Sequence, residues 1–307
     1  MAFQHINLAQ VEADPTLAKI IDRTCRDTGF LILEGHGIAQ SKIESLWQVA
    51  HQFFAQTPEV KQRIQAPYPG YPYGYLGPDA EALAKSKGED TPPDLKESVN
   101  GGPLSVPEGA SPDAMQFCYQ PTLWPDVEGF RTAWEAYYAE MEALAVRVMR
   151  VFALALDLPA DHFAPYIDAP ISALRLLHYP ASTGVPLDRQ QRAGAHTDYG
   201  SLTILLPQPR SQGLQIQSPA GDWIDVPAPE GAFVINIGDL MARWTADRWV
   251  STLHRVVAKP DQPARLSVAY FHQPNWEAQI VPLDGSDAYE MVRSGPYLME
   301  KFKAAAG

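Results

Sequence analysis

The second half of the chain contains a series of short apolar runs: ALRLLHY (173–179), HTDYGSLTILL (196–206), GLQIQ (213–217), DWIDV (222–226), AFVINI (232–237), TLHRVV (252–257) and RLSVAYF (265–271). Proline, glycine and aspartate separate these runs, and no helical pattern is evident between them. Short strands that follow one another in this way are typical of an antiparallel sandwich or barrel. The stretch therefore predicts a mainly β core.

The first half of the chain combines helical and strand-like patterns. Apolar spacing predicts helices over 16–28, 41–54 and 127–156, and an apolar run between two glycines predicts a buried strand at 30–33. Between residues 66 and 125 this periodicity is lost, and proline, glycine, serine and aspartate accumulate. We expect this long segment either to form a lid or wall of a binding site or to be an irregular surface excursion.

Composition limits the classes of function. The chain has 307 residues, of which 46% are apolar and 20% charged, as in globular proteins. It carries 24 Lys and Arg against 36 Asp and Glu, and the net charge of −12 argues against nucleic acids and anionic membranes as partners. The N-terminal residues lack the pattern of a secretory signal, which indicates a cytoplasmic protein. Cys25 and Cys118 are too few for a disulfide framework, and we expect both to be reduced.

His196 and Asp198 lie two residues apart in a strand-like run, so their side chains project from the same face. Two groups placed in this way can bind one metal ion, and His254, in the run TLHRVV, is a suitable third ligand. Two imidazoles and one carboxylate form the facial set of non-haem Fe(II), which leaves positions open for substrate or dioxygen. Zinc hydrolases use a similar number of ligands, but their frequent HEXXH signature is absent from the sequence. An isolated HxD motif also arises by chance, and a histidine in a strand is more often a structural group than a metal ligand.

Arg265 and Ser267 form a second pair with the same spacing, inside the run RLSVAYF. Their side chains share one face of the predicted strand, while Leu266, Val268 and Tyr270 share the other. A buried guanidinium requires an anionic partner, because an unpaired buried charge is costly. This partner is either a carboxylate of the protein itself or an acid-bearing cosubstrate, which Arg265 can hold by two parallel hydrogen bonds and Ser267 by a third.

With these residues in this order, the chain resembles the iron(II)/2-oxoglutarate-dependent dioxygenases of the isopenicillin N synthase-like family. The segment TCRDTGFLILEGHGI (24–38) resembles the opening of these enzymes. The later segments follow in the family order: LRLLHYP (174–180), AHTDYGSLTILL (195–206), GLQIQ (213–217), the stretch 221–245, STLHRVV (251–257) and RLSVAYFHQP (265–274). The resemblance covers about residues 3 to 275.

The resemblance implies a fold and a division of the chain. The expected fold is mainly β with flanking α-helices, built on a double-stranded β-helix, also called a jelly roll, which is cupin-like. A single catalytic domain is expected over 1–307. Within it, an N-terminal mixed α/β region with the long loop is expected over 1–125, and the oxygenase core over 170–275.

The resemblance also implies a ligand set and an activity. His196, Asp198 and His254 would bind Fe(II), and Arg265 and Ser267 would bind the distal carboxylate of the cosubstrate 2-oxoglutarate. Tyr179, in the run HYP, is at the position of a tyrosine that often reaches the same cosubstrate. With dioxygen, such an enzyme hydroxylates, desaturates or cyclises a small organic metabolite, often in specialised metabolism, and releases succinate and carbon dioxide.

Two other functions remain open on the same fold. One is an Fe(II) oxidase of the same family that does not use 2-oxoglutarate, because Arg265 and Ser267 could instead bind a substrate carboxylate. The other is a non-catalytic protein that binds a metal or a small molecule.

The substrate itself is weakly indicated. The tyrosines of the long segment, Tyr68, Tyr71, Tyr73 and Tyr75, are candidates for an aromatic wall, with Phe117 or Tyr119 approaching from the same segment; ordinary loop aromatics are the alternative. Arg175 shares the strand parity of Tyr179, so it either meets an anionic substrate or forms a surface salt bridge. We expect a small-molecule partner, and the sequence predicts neither its identity nor the oligomeric state.

Overall fold

A computed structural model of the protein describes residues 3–182 and 184–306. The strands are β1 (His5–Asn7), β2 (Phe30–Glu34), β3 (Gly74–Leu76), β4 (Glu97–Gly101), β5 (Ala173–Tyr179), β6 (Ala193–His196), β7 (Leu202–Pro207), β8 (Leu214–Gln217), β9 (Trp223–Asp225), β10 (Phe233–Ile237), β11 (His254–Val256), β12 (Arg265–His272), β13 (Gln279–Ile280) and β14 (Val292–Arg293). The helices are α1 (Leu8–Ala13), α2 (Ala18–Asp27), α3 (Gln40–Phe54), α4 (Pro58–Lys61), α5 (Pro112–Phe117), α6 (Phe130–Ala155), α7 (Asp239–Trp244) and α8 (Ser294–Ala306). Single turns of 3-10 helix lie at Pro15–Leu17, Gln62–Ile64, Leu83–Lys87 and Ala164–Tyr166.

Two sheets form the β core. The larger has eight strands in the order β1-β2-β10-β7-β12-β5-β4-β3, and the smaller has four in the order β6-β11-β8-β9. Neighbouring strands are antiparallel in both sheets except for the parallel pair β1 and β2. Strands from the N-terminal region extend the larger sheet at both edges, so the two parts of the chain share one sheet.

Alternate residues of the larger sheet face two different cores. On β12, Leu266 and Tyr270 belong to the core beneath the helices, whereas Ala269 lies between the two sheets. On β2, Leu31 faces the helices and Ile32 faces the smaller sheet, which explains the unbroken apolar run. The predicted division of β12 into an apolar and a polar face is confirmed.

Helix α6 is the centre of the outer core. The apolar residues that recur with the helical period on its inner face are buried: Phe130, Trp134, Tyr137, Met141, Leu144, Val148 and Val151. Helices α2 and α3 pack against α6, and the three together cover the outer face of the sheet. The predicted helices at 16–28, 41–54 and 127–156 are confirmed as α2, α3 and α6.

Several short elements were not predicted. The long segment 66–125 contains β3, β4 and α5, and α7 lies between β10 and β11. Strand β4 has the sequence ESVNG, in which polar residues dominate, and α7 has only six residues. Elements of only three to six residues carry too little periodicity to be recognised in a sequence. None of the helices in the described ranges is both long and apolar enough to cross a membrane.

Candidate active site

His196, Asp198 and His254 meet in the space between the two sheets. His196 ends β6 and lies opposite His254 at the start of β11, and the antiparallel pairing of these strands brings the two imidazoles together. Oδ1 of Asp198 is 3.8 Å from Nε2 of each histidine, and one ligand atom from each residue lies within 4.8 Å of the others. The structure therefore places the three predicted ligands around one point.

Backbone carbonyls set the tautomer of both histidines. Nδ1 of His196 is 2.7 Å from the carbonyl oxygen of Gly194, and Nδ1 of His254 is 3.0 Å from that of Thr252. Because a carbonyl can only accept, each Nδ1 must carry the hydrogen and donate it. Nε2 is then left with a lone pair facing the common point, which is the orientation that a metal ligand needs.

Two polar residues orient the carboxylate of Asp198. Its Oδ2 accepts hydrogen bonds from Thr203 Oγ1 at 2.5 Å and from Asn236 Nδ2 at 2.7 Å, which leaves Oδ1 directed at the histidines. Burial raises the pKa of Asp198, but the facing imidazoles and these hydrogen bonds outweigh it and hold the pKa below its ordinary value. Thr203 and Asn236 were not singled out from the sequence. Their positions in the sequence could have revealed them. Each is a polar residue that alternates along its strand with apolar residues, and those apolar residues pack against the helices.

The site keeps His196 in the neutral form that a metal requires. Burial, together with the neighbouring His254, lowers the pKa of His196 to about 3. Two imidazoles and one carboxylate match the donor set of non-haem Fe(II). The residues present therefore fit a facially bound iron.

Arg265 is a buried cation in the same cavity. Its residue is 7% exposed, Nε has no hydrogen-bond partner, and Nη1 reaches only the Ser211 hydroxyl at 3.3 Å. Among the residues that the structure describes, Arg265 has no carboxylate within ion-pair distance, so the alternative of an internal Asp or Glu partner is excluded for those residues. Burial lowers the pKa of Arg265, but a guanidinium stays charged. The carboxylate of a bound ligand would supply the missing partner.

Ser267 and Tyr179 flank this guanidinium. Ser267 lies two residues along β12 on the same face, and Tyr179 is the register partner of Arg265 on β5. The guanidinium carbon is 4.5 Å from the centre of the Tyr179 ring. A dicarboxylate that reached from the metal to this end of the cavity would meet all three side chains.

The cavity between the sheets has a volume of about 590 Å³. Its apolar wall includes Leu177, Leu205 and Phe271 from the larger sheet, and α8 contributes Leu298 and Phe302. From the long segment, Lys96 and every residue of the stretch 80–86 except Ala84 line the cavity. Of the two predictions for the long segment, the wall of a binding site is therefore confirmed over the irregular surface excursion.

The predicted aromatic wall is wrong. None of the four tyrosines lines the cavity, nor do Phe117 and Tyr119. The hydroxyl of Tyr75 donates to Glu97 at 2.5 Å, that of Tyr73 to the carbonyl of Cys118 at 2.5 Å, and Tyr68 is exposed. These aromatic side chains lie outside the cavity wall, and the part of the segment that lines the cavity is the stretch 80–86 with Lys96.

Arg175 lies in the cavity wall and is not on the surface. It donates from Nη2 to Glu81 Oε2 at 2.5 Å, and from Nε and Nη2 to the Ser98 hydroxyl. The predicted surface salt bridge is therefore wrong, because the ion pair lies within the cavity wall.

Comparison with known proteins shows the family. Residues 170–274 match the 2OG-Fe(II) oxygenase superfamily, and residues 3–127 match the N-terminal region of the non-haem dioxygenases in morphine synthesis. The chain is 33% identical over 298 residues to homoarginine-6-hydroxylase 2-ODD-233 of Oryza sativa subsp. japonica, a match that covers 93% of this chain and 88% of that protein. The chain belongs to the 2-oxoglutarate- and Fe(II)-dependent dioxygenases.

Two further proteins are similar to this dioxygenase along most of the chain. The 2-oxoglutarate-dependent dioxygenase citB of Monascus ruber is 35% identical over 281 residues, which covers 87% of this chain and 82% of citB. A full-length Neurospora crassa protein, in its crystal structure with alpha-KG and thymine, has 33% identity and a TM-score of 0.84, with 99% of this chain and 96% of that one covered. The core of this dioxygenase is thus the predicted double-stranded β-helix, and its cofactors are Fe(II) and 2-oxoglutarate.

Proposed function

We propose that this dioxygenase oxidises a C–H bond of a small organic metabolite, with His196, Asp198 and His254 as the iron ligands and Arg265, Ser267 and Tyr179 as the residues that hold 2-oxoglutarate. One observation carries the assignment. Arg265 is buried without a carboxylate partner among the described residues, and it opens into the same cavity as the His-Asp-His cluster. A site in which a ferrous ion and an organic diacid are bound side by side accounts for both features.

The side chains have separate tasks in this reaction. When bound, Fe(II) and 2-oxoglutarate would supply, with dioxygen, the oxidation of a substrate C–H bond, with succinate and carbon dioxide as coproducts. Asp198 and the two histidines would hold the iron, and Thr203 and Asn236 keep Oδ1 of Asp198 directed at the histidines. Arg265 orients the diacid through paired charge-assisted hydrogen bonds. The apolar wall keeps bulk water from the reacting centre and holds the substrate close to it.

Succinate release tests the proposal. Protein reconstituted with Fe(II) under anaerobic conditions is given 2-oxoglutarate and then oxygen, and succinate and oxygen uptake are both measured across a panel of small metabolites. We expect succinate in step with oxygen uptake, and faster turnover with a substrate. Oxygen uptake without succinate would favour the oxidase that does not use 2-oxoglutarate. Protein that binds Fe(II) and still consumes no oxygen with any compound would favour the binding protein.

Mass analysis of the product distinguishes the outcomes of C–H oxidation. Hydroxylation adds one oxygen atom, whereas desaturation and ring closure remove two hydrogens. The similar Neurospora crassa protein was crystallised with thymine, so a methylated heterocycle is a reasonable first member of the panel.

A further inference from the structure

Four charged residues form a cluster at the cavity wall, apart from the iron ligands and Arg265. The cluster consists of Glu81, Asp94, Lys96 and Arg175. Arg175 contacts Glu81 at 2.5 Å, and Lys96 contacts Asp94 at 2.6 Å and Glu81 at 3.3 Å. Two cations and two anions make the cluster neutral as a whole. Glu81, Lys96 and Arg175 line the cavity, whereas Asp94 lies behind them.

The cluster lies away from the end that holds 2-oxoglutarate. Arg175 is four residues from Tyr179 on β5, and its register partner is Ala269, four residues from Arg265 on β12. At about 3.3 Å per residue, the two ends are roughly 13 Å apart along the strands. The cluster therefore faces the space that remains for a substrate.

A backbone contact connects the cluster with the iron ligands. Oδ1 of Asp94 accepts a hydrogen bond from the amide of Gly194 at 2.9 Å, and the carbonyl of Gly194 accepts from His196. A group bound at the cluster is consequently held at a fixed position relative to the metal. This is the arrangement that selects one C–H bond of a bound molecule.

The cluster leaves one acceptor and one donor unused. The hydrogen bonds to the Glu81 carboxylate are made through Oε2, and Oε1 accepts none from the residues that the structure describes. Arg175 uses Nε and Nη2, and its Nη1 likewise donates to none of those residues. The ion pair of Glu81 and Arg175 therefore has one unused acceptor and one unused donor in the cavity wall, where a ligand could bind to both.

Charge indicates what this pair would accept. Burial raises the pKa of Glu81, but Arg175 and Lys96 outweigh it and lower the pKa to about 2, so Glu81 is ionised at neutral pH. The negative charge of Glu81 would repel a substrate carboxylate, and the positive charges of Arg175 and Lys96 would repel a substrate ammonium group. A neutral group that has its own hydrogen-bond donor and acceptor avoids both repulsions.

We propose that Glu81 and Arg175 form the recognition pair for the polar end of the substrate, and that this end is neutral and carries an N–H donor beside a carbonyl oxygen, as in a lactam or a cyclic imide. The N–H donates to Oε1 of Glu81, and the carbonyl accepts from Nη1 of Arg175. The apolar remainder of the molecule lies against Leu205, Phe271 and the α8 side chains, with its reactive carbon towards the iron. This assignment rests on the proposed function, because it places the substrate in the same cavity.

Fragment binding tests the pair. Protein loaded anaerobically with Fe(II) and 2-oxoglutarate is screened by ligand-observed NMR against three matched sets of methylated rings: lactams and cyclic imides, carboxylates, and amines. We expect the neutral set to supply most of the binders, and N-methylation of the ring N–H to weaken them about tenfold, as for the loss of one hydrogen bond to a charged group. A screen in which carboxylates or amines dominate, or in which no set binds, would overturn the proposal.

Two variants should shift selectivity in opposite directions. Glu81→Gln gives the cluster a net charge of +1 and should favour carboxylates, while Arg175→Gln gives it −1 and should favour amines. Both should weaken the neutral fragments about tenfold. Glu97→Gln is the matched control, since Glu97 is a buried carboxylate paired with Lys61 but does not line the cavity. Unchanged selectivity in both cluster variants, or the same change in Glu97→Gln, would show that the pair is only structural.

The same samples separate this inference from the function on which it rests. Anaerobic titration of the wild-type protein and of Glu97→Gln with Fe(II) and 2-oxoglutarate measures cofactor binding independently of the fragments. Failure of wild-type protein to bind 2-oxoglutarate would refute the proposed function. Normal 2-oxoglutarate binding without the expected fragment selectivity would refute the recognition pair alone.

Discussion

Arg265 lies directly opposite Tyr179 on paired strands, with its guanidinium carbon 4.5 Å from the centre of the tyrosine ring. The ring packs against one side of the guanidinium and leaves its edge available for hydrogen bonding. A cation that is buried, held in place and without a carboxylate among the described residues is prepared to bind an anion. Substituting each residue in turn can distinguish how much the charge of Arg265 and the stacking of Tyr179 each contribute to 2-oxoglutarate affinity.

Replacing Arg265 with methionine should raise the Kd for 2-oxoglutarate about 100-fold, because two charge-assisted hydrogen bonds are lost. Tyr179→Leu should raise it only about threefold to tenfold, since a stacking contact is weaker. Anaerobic calorimetric titration of the Fe(II) protein measures both values. Arg255→Met is the control, because Arg255 also stacks on an aromatic ring, that of Trp223 at 3.9 Å, but does not line the cavity. Equal effects of the Arg265 and Arg255 changes would contradict the assignment.

Removing the partners of Asp198 should weaken iron binding without removing a ligand. Asn236→Ala combined with Thr203→Val frees Oδ2 of Asp198, and we expect Fe(II) affinity to fall about 10- to 100-fold. Competition with a chelator under anaerobic conditions measures the change. Asn275→Ala removes an amide that bonds to Asp168, and neither residue lines the cavity, so this change should leave the affinity for Fe(II) as in the wild type. An affinity unaffected by the double change would mean that the Asp198 orientation is fixed by other means.

A methyl group on Gly194 should displace the turn at 83–87. A Cβ atom there would lie 2.8 Å from the backbone nitrogen of Ala84, closer than atoms can approach. We expect Gly194→Ala to lower the free energy of unfolding by about 1–3 kcal/mol and to increase proteolytic cleavage in this turn. Gly184→Ala is the control, since a Cβ atom at Gly184 meets nothing within 4 Å. Resistance of the Gly194→Ala turn to protease, as in the wild type, would contradict the predicted displacement.

Glu81 should make the stability of the protein depend on pH in the acid range. Its pKa is about 2 in the folded protein, against an ordinary value of 4.5, so the ionised form stabilises the fold above about pH 4.5. The contribution, on the order of 2 kcal/mol, is lost as the pH falls from 4.5 towards 2. Urea unfolding at pH 6, 4.5 and 3.5 should show a stability difference between wild type and Glu81→Gln that shrinks at the lowest pH. A difference that stays constant or grows on acidification would contradict the low pKa.

The sequence predicted those parts of the site that lie close together along the chain. Arg265 and Ser267 share one face of β12, as the strand pleat requires. Asp198 lies two residues beyond the end of β6, and its hydrogen bonds with Thr203 and Asn236 orient it. His254 was predicted as the third ligand from its own strand-like run, and the resemblance added Tyr179 and assigned Arg265 and Ser267 to 2-oxoglutarate. The polar residues behind Asp198 were missed, although Asn236 is the one polar residue in an otherwise apolar strand and faces the interior.

The remaining parts depend on contacts between distant segments. Glu81 and Lys96 come from a stretch without periodicity, and only the fold brings them to Arg175. The tyrosines were misplaced for the same reason, because an irregular backbone does not fix which way a side chain points. Strand β4 is specified by its pairing with β5, and β3 by its pairing with β4, and neither has an apolar pattern of its own.

The strict alternation of β12 has a consequence for how such an enzyme can change. Inserting or deleting one amino acid within this strand would exchange Arg265 and Ser267 for their apolar neighbours at the cavity wall and abolish diacid binding at once. The irregular stretch that carries Glu81 has no such constraint, and its length can vary while the oxidising chemistry is retained. New substrates are therefore more accessible through altered loops than through altered strands.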